Sequence, residues 1–95
     1  MRRRRNPNLI FINELPHEQP PPETEFELVT AAEVKSDLME LLDEIRPGQD
    51  REERAILADQ IEAAARALAI AIRRQHEVYR AYDASDGSLW YAYAD

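Results

Sequence analysis

The sequence predicts an α+β fold. An αα-hairpin, with helices over about 31–46 and 51–76, packs on a small sheet of two to four short strands over about 9–13, 78–84 and 89–94. Three observations predict it. Apolar residues recur at helical spacing in two central stretches, each opened by a capping signal and separated by Pro47-Gly48. Branched and aromatic residues crowd both flanks of Asp86-Gly87 near the C-terminus. At the other end, LIFIN over 9–13 offers those residues a strand partner.

Ninety-five residues suit a single domain over 9–95, with a basic arm at 1–8 and a proline-rich connector at 14–25. A chain of this size buries only about 60–65% of its unfolded surface, so its core is small. It has no cysteine, so neither disulfides nor thiolate metal sites hold it together. No apolar run approaches the roughly 20 residues of a membrane span, and Leu9–Ile12 is too short for the core of a signal peptide. The expectation is a soluble cytoplasmic protein.

Each element has a local cause. LIFIN is short, branched and aromatic, as strands are. Pro20, Pro21 and Pro22 donate no backbone hydrogen bonds and hold an extended φ, which makes their segment a spacer. Phe26–Val29 reads as a further short extended piece. Thr30 and Glu33 form a capping box, and Val29 and Val34 fall at the positions of a hydrophobic staple. Val34, Leu38, Leu41, Leu42 and Ile45 then repeat with helical period, until Pro47-Gly48 stops the helix. Asp50 and Glu53 repeat the cap for the second helix, where acids at 50, 52 and 53 also suit the positive end of the helix dipole. One apolar stripe of that helix runs through Leu57, Ile61, Ala64, Leu68 and Ile72, and a second through Ile56, Ala63, Ala67 and Ile70. Glu62 and Arg66 form an i,i+4 pair in the better orientation.

The segment after the second helix reads two ways. A hairpin about Asp86-Gly87 places Tyr82 opposite Tyr91, Arg80 opposite Tyr93 and Ala84 opposite Leu89. The competing reading extends the helix through Tyr79 and Tyr82. The hairpin is preferred, because the alternative requires a helix of over about 30 residues, beyond the usual 8–20.

Charge is distributed unevenly. Arg2, Arg3, Arg4 and Arg5 are basic; residues 14–62 carry fifteen acids against four bases; residues 63–95 carry four of each. The acidic middle repels nucleic acid and attracts basic partners. On the first helix Asp37, Glu40, Asp43 and Glu44 are expected to face water, and Glu52, Glu53 and Asp59 extend the patch. A second candidate surface is the aromatic C-terminus: Tyr79, Tyr82, Trp90, Tyr91 and Tyr93, with Arg80 among them. Strand alternation sends Trp90 to one face and Tyr91 and Tyr93 to the other. So small a domain is not expected to bury both, and Trp, Tyr and Arg are the residues that most often anchor interfaces.

No catalytic constellation is evident. His17 and His76, the only histidines, lie in different segments, and neither calcium-loop nor metal-ligand spacing occurs. The expected function is therefore a small acidic protein-interaction module, without chemistry or cofactor. It would act as a regulator or inhibitor docking on a partner with a basic surface, including one that binds nucleic acid. The two-sided second helix, 51–76, adds the expectation of a homodimer. The alternative is a nucleic-acid-associated or assembly protein that uses only Arg2–Arg5 to neutralise phosphates.

Overall fold

The computed structural model of the chain describes residues 9–13, 25–74, 77–82 and 89–94. The element order is β1 (Leu9–Phe11), β2 (Glu27–Val29), α1 (Ala31–Asp43), α2 (Arg51–Arg74), β3 (Val78–Tyr82) and β4 (Leu89–Ala94). This is an α+β fold with a helical hairpin on a four-stranded sheet of order β1-β4-β3-β2, antiparallel throughout. The connector between β1 and β2 lies mostly outside the described residues, as do Arg2–Arg5, His17 and His76.

Both helices start where their caps place them. The Thr30 hydroxyl accepts the Glu33 N–H at 3.2 Å, and the Glu33 carboxylate accepts the Thr30 N–H at 3.0 Å. Asp50 and Glu53 reciprocate in the same way, at 2.8 and 3.1 Å. Each box satisfies two backbone donors at a helix start. The first helix ends at Asp43, three residues short of the expected 46. Glu44 caps it, donating its N–H to Leu41, and Gly48 takes a φ of 88°, which suits a residue without Cβ. Gln49 reinforces the exit by donating to the Glu44 carbonyl and accepting from the Arg46 N–H.

The hairpin reading of the C-terminus is the one observed, but its register differs from the expected one by two residues. Arg80 lies opposite Tyr91, not Tyr93, and Tyr82 lies opposite Leu89. A shift of two leaves every side chain on its face. The observed register brings Arg80 and Tyr91 side by side where one carboxylate meets both. Residues 83–88, with Asp86-Gly87, lie outside the described residues. LIFIN pairs antiparallel with β4, as expected, although its strand ends at Phe11.

The core sits between helices and sheet. Val34, Leu41, Leu57, Ala63, Ala64 and Ala67 from the helices meet Val29, Val78, Leu89 and Tyr91 from the strands. The alanines of α2 allow close approach to the sheet. The opposite sheet face is covered too, and this corrects the sequence expectation. Trp90 is 2% exposed and Tyr91 0%, so the single chain buries both faces of β4. Phe11 packs edge-on to Trp90 at 6.1 Å and stacks on Phe26 at 5.8 Å, with Ala81 and Ala92 buried beside them.

Candidate functional site

Asp37 is the organising residue. Its spacing from Val34 and Leu41 places it within the apolar stripe of α1, and the structure buries it against the sheet, correcting the water-facing expectation. Arg80 Nη1 donates to both its oxygens, at 2.7 and 2.8 Å, and the Tyr91 hydroxyl donates to it at 2.8 Å. The Asp37 and Arg80 side chains are 11% and 13% exposed. Arg80 Nη2 reaches Glu27 at 3.3 Å and lies 4.0 Å from Glu33, while the guanidinium sits 5.9 Å from the Tyr82 ring centre.

The proton affinities follow from these contacts. Burial opposes the charge on Arg80, but the hydrogen bonds and charge of Asp37, joined by Glu27, outweigh it and hold the guanidinium protonated beyond its usual range. Burial, reinforced by the hydrogen bond and charge of Asp37, raises the Tyr91 phenol far above an ordinary tyrosine. The Thr30 backbone N–H, then its hydroxyl and the charge of Arg80, hold Glu33 below its usual value.

A second buried polar group pins the neighbouring strand. Asn13 Nδ2 donates to the Leu89 carbonyl at 3.0 Å and to Asp59 at 2.9 Å, and its Oδ1 accepts the Tyr91 N–H at 2.7 Å. Gln60 of α2 accepts the Leu89 N–H. Asp59 is thereby tied to the scaffold. Glu53 closes its helix cap, so neither is a free carboxylate of a docking patch.

Beside this frame lies a concavity of about 130 Å³, lined by Asp37, Glu40, Leu41, Glu44, Gln60, Tyr82 and Leu89. Arg80 neutralises Asp37 within it. Glu40 and Glu44, one helical turn apart, are exposed and make no ion pair among the described residues. Tyr82 is 60% exposed. The arrangement is two carboxylates and an aromatic ring around a recess, with an apolar floor at Leu41 and Leu89. Such a recess suits a cationic side chain, which carboxylates hold by charge and the ring by its π face.

The expected surfaces are thus partly dispersed. Glu40 and Glu44 share the recess; Asp43 and Glu52 are exposed. Of the aromatic set, Trp90 and Tyr91 are interior, Tyr79, Tyr93 and Arg80 are half-buried, and Tyr82 alone is exposed. Among the described residues, no three His, Asp or Glu are grouped to hold a metal ion, and no helix is long and apolar enough to cross a membrane. Sequence reading missed Asn13 and Gln60. Their signal was a polar residue at an apolar position: Gln60 lies three residues after Leu57 and four before Ala64. No family model matches the chain, and no curated protein or solved structure matches it either.

Proposed function

We propose that the protein is an interaction module that docks on a basic element of another protein, taking a lysine or arginine side chain between Glu40, Glu44 and Tyr82. The observation that supports this reading is the pairing of carboxylates. Asp37 is already matched by Arg80, while Glu40 and Glu44 border the same recess without an ion-paired cation among the described residues. A partner cation completes the set. The acidic stretch over residues 14–62 steers its approach, most strongly at low salt. A regulator or inhibitor of a basic, nucleic-acid-binding protein is the role this chemistry fits.

The test compares two charge reversals of equal size. Binding of an arginine- and lysine-rich peptide is measured for E40K/E44K and for D43K/E52K, whose reversed residues do not line the recess. Specific docking predicts at least a tenfold loss for the first pair and a loss of threefold or less for the second, about 1.4 kcal/mol against 0.7 or less. Equal losses would mean that only the general field acts, and would reject the recess as the binding site.

A further inference from the structure

One guanidinium is already held at the edge of the recess. Arg80 bonds both oxygens of Asp37 on α1 and lies 5.9 Å from the centre of the Tyr82 ring. Asp37 and Tyr82 both line the recess. Glu40 and Glu44 line it too, further along α1, and both are exposed.

We infer that the recess selects arginine over lysine, the partner's guanidinium repeating against Glu40, Glu44 and Tyr82 the arrangement that Arg80 makes with Asp37 and the same ring. Such selection rests on the docking proposed above and narrows its cation to one side chain. Three features favour the guanidinium. The first is the donor pattern. Residues four apart on a helix stand about 5–6 Å apart at Cβ, as Glu40 and Glu44 do. A planar guanidinium spreads five N–H donors around its edges and can bond both carboxylates at once, whereas an ammonium gathers its charge at one atom. The second is the ring. Tyr82 is 60% exposed, so ring surface remains open after Arg80 has taken its place. A guanidinium stacks flat on such a surface; a compact ammonium has no plane to stack. The third is the floor. The side chains of Leu41 and Leu89 there offer no hydrogen bond in exchange for lost water. The guanidinium is the more weakly hydrated of the two cations, so it gives up less on entering.

Two peptides of equal length and spacing, one with arginine and one with lysine at every basic position, test the selection against the full chain at fixed salt. The wild type is expected to bind the arginine peptide at least about fivefold more tightly. Y82L removes the ring and should bring that ratio to about twofold or less. Because Tyr82 is mostly exposed, this variant keeps its fold, checked by circular dichroism. D43K/E52K, whose residues do not line the recess, should retain the wild-type ratio. A wild-type ratio below about twofold, or a larger one that survives Y82L, would overturn the selection. If both peptides then still lose about tenfold or more in E40K/E44K, only the selection falls; if neither does, docking in the recess falls with it.

Discussion

Replacing Asp37 by alanine probes the frame that holds the recess open. The carboxylate takes two bonds from Arg80 and one from Tyr91, at 2.7–2.8 Å, between side chains that are about nine-tenths buried. Its loss strands a guanidinium that, among the described residues, keeps Glu27, Glu33 at 4.0 Å and the Tyr82 ring, and leaves a buried phenol without that acceptor. Breaking a buried ion pair on one side costs about 3–5 kcal/mol, and the residual glutamates place this case near the lower end, about 3–4 kcal/mol. A domain of this length holds roughly 5–14 kcal/mol in total, so the change removes a large part of its stability. Urea unfolding reads it directly. With m at about 1–1.5 kcal/mol/M for so small a chain, the midpoint falls by about 2–4 M at unchanged m. D37L/R80M, which removes both charges, should cost less than the two single variants together, with a coupling of about 2 kcal/mol. A loss under about 1 kcal/mol for D37A would show that water, and not Asp37, satisfies Arg80, and the buried-pair argument would fail.

Further outcomes follow from the same contacts. N13A orphans the Tyr91 N–H and the Leu89 carbonyl inside the sheet and should cost about 2–3 kcal/mol in the same assay. The raised Tyr91 phenol contributes stability that is complete below the ordinary tyrosine value of 10 and is lost as pH climbs above it toward the higher folded value. Unfolding free energy should therefore fall above pH 10, and in Y91F that part of the slope should disappear; an unchanged slope would place the phenol in contact with water. Glu33, held low, acts in the opposite sense. Its contribution is present above the ordinary value of 4.5 and is lost as pH falls through the lower folded value. T30A should lower stability by about 1 kcal/mol at neutral pH and flatten that acid limb.

The helices were legible because their signals are local. Two capping boxes and a 3.6-residue period need no knowledge of the rest of the chain, and both boxes form as the residues imply. The strands were legible in kind and in pairing, with β4 joined to β1 and β3. The β3–β4 register was not: it goes with a contact to a carboxylate on distant α1 that Arg80 and Tyr91 reach together, which no local pattern announces. The same long-range contact hid the role of Asp37. Read from charge alone, it belongs with Glu40 and Glu44; read from spacing, it belongs with Val34 and Leu41, and spacing was the better guide. The aromatic tail shows a limit of area arguments. Trp90 and Tyr91 were expected to exceed what one small domain could hide, yet Phe11, Phe26 and a floor of alanines cover one face while the helices cover the other. The recess itself needs α1, α2, β3 and β4 at once, so no single segment of the sequence announces it.

The most direct test of the docking account is a titration of isotope-labelled protein with an arginine- and lysine-rich peptide, followed residue by residue in amide spectra. The account predicts shifts concentrated at Glu40, Leu41, Glu44, Gln60, Tyr82 and Leu89, weakening as salt rises. Shifts spread evenly over all acidic residues, or none at these six, would contradict it.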